Sequence, residues 1–506
     1  MPDNNTTRRQ FLAYSVAVAS TVTACNRVDD QPGITMTKPL TDLTATEAVG
    51  MMRRGELAAT EFATALIARC EEASDLNAFI SFEPEKVLSA ARIADERYAS
   101  GEKLGPLHGL PIPVKDSVNT RDYPTTGGTP ALRNFRPADD AALVARLKAT
   151  GAIVLGKTNI HELSFGWTSN NEAFGAVRNP YGKDRIPGGS SGGTAAAIAA
   201  HMAPLGIAED TQGSIRVPAA LCGIYGFRPT QNRYPNQGVV PITPLFDQVG
   251  PHARNVADIA LFDHALTGEP VVSEATPLQG LRLGIAREYY FESLDTEVAD
   301  TTEAALQKLQ AAGVTLVEAD VPDLARLIAL TTSHIQSYHV KLMLAKYLEE
   351  YDAGVSFDEV MEQASPGLKA AFDLYVLGGE FTPSEADFTA ARDVHLPALR
   401  ATMKNYFDTN KLDAMIFPAT QIVASPIGQE MEVQLNGKSV PFEPVISRNI
   451  SPGSTVGLPG LVIPAALNSG GLPISLEIDG PSASDRNMLG IGLAIENILG
   501  HLPPPT

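Results

Sequence analysis

From Gly109 onward short apolar runs alternate with helical stretches: Leu110 to Val114 reads as a strand, Ala141 to Ala149 as a helix, and Ala152 to Gly156 as a strand again. That alternation commits the chain to an α/β core. It continues with a helical Ala195 to Ala200, a strand-like Pro204 to Ala208, a helical Val256 to Leu266, a further α/β stretch opening at Leu281 to Ala286, and an amphipathic helix over 297–312. Ahead of it, Thr44-Ala45-Thr46-Glu47 has the spacing of a capping box, and 58–74 and 84–99 have helical periodicity, so an N-terminal helical layer is expected. Residues 320–410 read as mostly helical, a cap or pocket-forming insertion over the sheet; 411–478 returns to strand-like runs before a closing helix at 485–498. No repeat and no internal linker divides the chain, so 40–506 is expected to form one domain, large enough at 44% hydrophobic residues to bury a sizeable core.

The first 39 residues read differently. Arg8-Arg9 precede the uncharged, 14-residue stretch Phe11 to Ala24, which is too short to span a bilayer. Residues 1–25 are therefore read as an export signal of the twin-arginine type. Val22-Thr23-Ala24-Cys25 resembles a lipobox, which makes Cys25 the lipidation site and lipid on it a membrane anchor; residues 26–39 are the linker. The expected location is the periplasm or cell envelope of a bacterium.

A formal net charge of −19 argues against a nucleic-acid partner, since phosphate binding needs a concentrated basic surface. A small uncharged or modestly polar substrate fits better. The three cysteines, Cys25, Cys70 and Cys222, make no disulfide framework and lie in no cluster of metal-ligand spacing. No motif suggests a metal or an organic cofactor.

Three segments carry chemistry that packing alone would not require. Gly188-Gly189-Ser190-Ser191-Gly192-Gly193 precedes an alanine-rich helix, and its glycines let backbone approach a ligand closely. A flexible linker is a poor reading beside that helix, no Gly-Lys-Ser/Thr follows to make a phosphate loop, and the turn-rich Asn179 to Pro187 leaves a nucleophile elbow without its strand. The second segment, Glu209 to Pro218, directly follows a strand. Its Ser214 can attack a carbonyl while preceding backbone N–H groups bind the developing oxyanion, which makes it the better nucleophile candidate. The third, Gly109 to Asp116, ends an apolar strand with Lys115, in a setting that can desolvate the amine.

Together these segments resemble the amidase signature family: Pro-x-x-Lys-Asp at Lys115, the Gly-Gly-Ser-Ser-Gly-Gly run, and Asp210-x-x-Gly-Ser-Ile-Arg-x-Pro beginning 20 residues after Ser190. The resemblance extends over roughly residues 40–500, through Gly223 to Thr230, Gly250 to Arg254 and Gly453 to Gly460. It implies a twisted mixed β-sheet sandwiched between helical layers. It also implies a Ser-Ser-Lys triad that splits an amide C–N bond through an acyl-enzyme: Ser214 the nucleophile, Ser190 the bridging serine on a cis peptide after Gly189, Lys115 the general base. An ordinary lysine, with a pKa of about 10.4, is almost wholly protonated near neutrality, and burial behind Val114 is expected to lower it. The family's oxyanion hole falls on the backbone N–H groups of Thr211, Gln212, Gly213 and Ser214. Many relatives have Gly-Gly-Ser where this chain has Gln212-Gly213-Ser214, so Gln212 must adopt the turn despite its side chain and is placed to touch the substrate.

Other conspicuous residues have plainer readings. Asp210 and Arg216 read as a structural charge pair, His161-Glu162 as a surface or helix-cap pair without the second histidine of a zinc helix, and Cys222 as a packed thiol. Within the family, Glu162 to Gly166 with Ser169 to Asn171, and Ser451 to Pro459, look most similar to the hydrolases of indoleacetamide and mandelamide, which release ammonia from primary arylalkyl amides. An aryl acylamidase or anilide hydrolase is the alternative. A protein like the ammonia-producing amidase chain of a tRNA-dependent amidotransferase is another, opposed by the export signal and the charge.

Overall fold

The computed structural model describes residues 38–505 apart from Glu430. Thr44 caps the first helix, Ala45–Arg54, by the reciprocal bonds its sequence predicts: Glu47 N–H donates to Thr44 Oγ1 at 3.1 Å and Thr44 N–H to Glu47 Oε2 at 2.8 Å. Helices Ala59–Glu72 and Pro84–Ala99 complete this layer and pack their apolar faces on the sheet.

The main sheet has eleven strands. It runs from Phe79–Ser81 at one edge through Ile153–Thr158, Pro111–Lys115, Leu205–Asp210, Gln248–Ala253, Tyr225–Arg228, Gly460–Leu467, Pro473–Asp479, Ala414–Pro418 and Arg282–Ile285 to Thr315–Glu318. Parallel pairs join Ile153–Thr158, Pro111–Lys115 and Leu205–Asp210 on one side and Ala414–Pro418, Arg282–Ile285 and Thr315–Glu318 on the other. Antiparallel pairing holds the strands between them. The sheet is therefore mixed, and helices flank it.

Two consequences matter for the site. Pro111–Lys115 and Leu205–Asp210 are neighbouring parallel strands, and every residue of both is buried, so the side chains at their C-terminal ends meet inside the protein. The helix Gly192–Ala199, also wholly buried, starts beside them. Its first turn also abuts the chain just past Ile153–Thr158, where only glycine fits: a Cβ on Gly193 would lie 2.4 Å from the Asn159 carbonyl oxygen.

Residues 324–410 are helical except for short turns, from the 27-residue Leu324–Glu350 to Leu396–Asn410. The 411–478 region supplies the strand-like runs read from it as Ala414–Pro418, Gly460–Leu467 and Pro473–Asp479, with a separate hairpin, Glu432–Leu435 with Lys438–Pro441. It also holds two helices that reading did not include, Phe442–Ser447 and Ser451–Val456. Pro444 and Pro452 sit in the first turns of those helices, where a missing N–H costs nothing.

Candidate active site

Lys115 ends its strand fully buried, and its Nζ donates to Ser190 Oγ at 2.7 Å, to Glu209 Oε2 at 2.8 Å and to the Glu209 carbonyl at 3.2 Å. Burial drives the Lys115 pKa below that of an ordinary lysine, although the carboxylates of Glu209, Asp210 and Asp247 pull the other way. Ser190 is held by its backbone. The Gly189–Ser190 peptide is cis, and the Ser190 carbonyl accepts from His161 N–H at 3.1 Å and from Ser169 Oγ at 3.2 Å. Gly189 has no room for a side chain, since a Cβ would lie 2.7 Å from the Trp167 carbonyl carbon.

Ser214 lies in the loop that follows Leu205–Asp210, and Asp210 shapes that loop. The Asp210 carboxylate accepts from Gly213 N–H at 2.8 Å and Ile215 N–H at 3.1 Å, and pairs with Arg216 and Arg228, all fully buried. Burial alone would raise the Asp210 carboxyl, but the two guanidinium groups outweigh it and hold it well below the usual carboxylate range. Asp210 and Arg216 are thus a structural charge pair, with Glu477 and Ser454 as further partners of Arg216.

The same bonds correct one expectation. The Gly213 N–H is directed at Asp210, not at a substrate oxygen, because the loop must turn there with Gly213 at φ +104°. This leaves the amides of Thr211, Gln212 and Ser214 as candidate oxyanion donors. Gln212 keeps its φ outside the left-handed region, so the turn tolerates its side chain, whose Nε2 donates to Thr455 Oγ1 at 3.3 Å.

Thr211, Gln212 and Ser214 line a pocket of about 390 Å³. Its walls bring Phe165 and Trp167 from one loop, Ile328 and Thr332 from the long helix Leu324–Glu350, and Tyr289, Tyr375 and Arg448 from further segments. Trp167, the single tryptophan of the chain, donates its indole N–H to the Gln212 carbonyl at 3.0 Å and so ties the apolar wall to the Ser214 loop. Ser214 itself is 5% exposed. The structure thus joins Lys115 directly to Ser190 and puts Ser214 in the pocket wall; among the described residues no direct hydrogen bond links Ser190 to Ser214.

Glu162 is buried and His161 is partly exposed. The Glu162 carboxylate accepts from the backbone N–H and hydroxyl of Ser365, ahead of the helix Pro366–Tyr375, so for Glu162 the cap reading holds and the surface reading fails. Burial and the nearby Lys115 charge push His161 down to about 4. Cys222 is a packed thiol, donating to the Pro187 carbonyl at 3.3 Å, with its pKa raised by burial. Cys25 lies outside the described residues. Sequence reasoning missed Glu209 as a partner of Lys115: an acid at a strand end signals nothing until folding brings a lysine 94 residues away to it.

A lysine buried against a serine, beside a pocket with a second serine in its wall, is an arrangement that can serve a hydrolase. The Amidase family model matches residues 61–489, and the chain belongs to that family, as an enzyme acting on amide C–N bonds. It is 40% identical to the indoleacetamide hydrolase of Rhizobium radiobacter over 450 residues, 89% of this chain and 95% of that one. It is 36% identical to the mandelamide hydrolase of Pseudomonas putida over 484 residues, covering 92% and 93%. The crystal structure of an amidase superposes with a TM-score of 0.81 at 28% identity, over 90% of this chain and 100% of that one.

Proposed function

We propose that the chain hydrolyses primary arylalkyl amides of the indoleacetamide and mandelamide kind to a carboxylate and ammonia, with Ser214 as nucleophile, Ser190 as bridging serine and Lys115 as general base. The observation that carries this reading is the buried 2.7 Å bond between Lys115 and Ser190, reached through Glu209 from the loop whose Ser214 lines the pocket. With Lys115 neutral, that bond reverses: Ser190 gives its proton to Nζ and takes the one from Ser214 as Ser214 Oγ attacks the amide carbon. The amides of Thr211, Gln212 and Ser214 stabilise the oxyanion. The relay then runs backward to protonate the leaving nitrogen, and water releases the acid. Phe165, Trp167, Tyr289 and Ile328 give the pocket an apolar, largely aromatic lining, and its volume suits one aryl ring on a short chain.

Ammonia release from phenylacetamide, mandelamide and indoleacetamide, beside aniline release from acetanilides, tests the substrate class. Ammonia from the first three is the expected result; aniline without ammonia would move the enzyme to the anilide hydrolases. Lys115→Ala tests the base. Activity needs the neutral amine, so wild-type kcat/KM is expected to fall as pH drops through the lowered Lys115 pKa. The variant should lose this limb and run about 10²- to 10⁴-fold slower. An unchanged pH profile would remove Lys115 from the role.

Residues 1–25 are retained in this proposal as an export signal, with Cys25 as the lipidation site. The support is the Arg8-Arg9 pair, the uncharged stretch after it and the Val22 to Cys25 sequence.

A further inference from the structure

Behind Lys115 the hydrogen bonds do not stop at Glu209. Lys115 Nζ holds Glu209 Oε2 at 2.8 Å; Glu209 Oε1 lies 3.0 Å from Thr211 Oγ1, which in turn lies 2.7 Å from Asp247 Oδ1. The other Asp247 oxygen accepts from the Ile242 and Thr243 N–H groups, at 3.0 Å each. A hydroxyl has one proton and spare lone pairs, so Thr211 can donate to one of its two carboxyl neighbours while accepting from the other. The row therefore has room for one extra proton, and the proton can sit at either end.

Asp247 also lines a second cleft, of about 530 Å³, which shares no lining residue with the pocket holding Ser214. Asp247 is 5% exposed, and the polar Asn236 and Gln237 and the charged Arg146, Lys346 and Glu350 are among the residues around that cleft. Burial and the neighbouring Glu209 raise the Asp247 carboxyl to about 7. Arg228, which loses some of its own basicity to burial, faces the same carboxyl, and His339 stands one hydrogen bond away through Thr243 Oγ1. Around Lys115 the remaining groups are Asp210, held ionised by its arginines, and His161 and His252, each pushed down to about 4 by burial.

We propose that Glu209, Thr211 and Asp247 form a proton relay that connects Lys115 to the second cleft, on the far side of Thr211 from the substrate pocket's Ser214. The inference rests on the Ser-Ser-Lys reading above. Hydrolysis of the acyl-enzyme yields a carboxylic acid whose proton must leave at neutral pH while the carboxylate still fills the pocket. Neutral Lys115 takes that proton and becomes the ammonium. The ammonium passes a proton to Glu209 Oε2, which regenerates the amine, and a half-turn of the carboxyl presents the O–H to Thr211. Thr211 accepts it while its own proton moves to Asp247 Oδ1, and Asp247 gives a proton to water or a buffer base in the cleft. Each transfer moves one proton and changes no other bond. Glu209, Thr211 and Asp247 act here as positioning residues for the base, not as groups that touch the reacting carbon.

The test is the dependence of kcat and KM on pH, buffer and solvent deuterium, in the full chain, with an amide that the wild type turns over. Asp247→Asn is expected to lower kcat about tenfold or more, with KM changed less than about twofold, and to regain rate as imidazole is added. Thr211→Val, which keeps the side-chain shape, is expected to slow kcat similarly with a larger solvent isotope effect, and Thr211→Ser to recover most of the loss. An Asp247→Asn enzyme indifferent to imidazole, or a Thr211→Val enzyme as fast as wild type, would overturn the relay. Turnover by Ser214→Ala would instead overturn the triad beneath it.

Discussion

Ser214→Ala is expected to lower kcat for ammonia release by at least about 10³-fold and to leave the fold intact. The hydroxyl is the only group the substitution removes. The loop is shaped elsewhere, by Asp210 accepting from the amides of Gly213 and Ile215 and by Trp167 donating to the Gln212 carbonyl. Thermal unfolding and circular dichroism should therefore match wild type while turnover collapses. Labelling by a serine-directed fluorophosphonate, read by intact mass, should disappear in the same variant. Turnover within about tenfold of wild type would remove Ser214 from the role of nucleophile.

The second large effect falls on stability. Arg216 is fully buried among Asp210, Glu477, Asp479 and Ser454, and its guanidinium is the positive charge closest to the first three. Arg216→Met keeps much of the side-chain volume but strands buried carboxylates, a change that costs about 3–5 kcal/mol. Urea unfolding at neutral pH measures it. Burial raises both Glu477 and Asp479, Asp479 being a further source of the rise at Glu477, so protonation relieves the stranded charge. The deficit should accordingly shrink as pH falls below neutral. A denaturation midpoint equal to wild type would show that the cluster carries no such charge.

The α/β layer around Lys115 was legible because Pro111–Lys115, Ile153–Thr158 and Leu205–Asp210 begin as unbroken apolar runs between helices. Two central strands were not. Tyr225–Arg228 and Gln248–Ala253 are entirely buried yet include Arg228, Gln248 and His252, whose polarity hides the strand pattern; their partners, such as Asp210 for Arg228 and the Ile215 carbonyl for His252, come from other segments. The helices after residue 440 were obscured by prolines that sit harmlessly in first turns. In the site, Lys115, Ser190 and Ser214 stood out by local context. Glu209 and Asp247 did not, because a buried acid and a solvated one look alike in a sequence, and only the tertiary bonds through Thr211 tell them apart.

The Lys115–Ser190 pair and the Ser214 loop hang on two adjacent strands and their buried charges, whereas Ile328, Thr332 and Tyr375 in the pocket wall come from the helical stretch after residue 320. On the proposed assignment, bond-breaking and one wall of the substrate pocket thus rest on separately supported parts of one scaffold. Substitutions in the helical wall can retune which acyl group enters while the reacting atoms stay in register. For a directed-evolution campaign, this makes positions such as 328, 332 and 375 the economical library, and the strand ends the part to leave untouched.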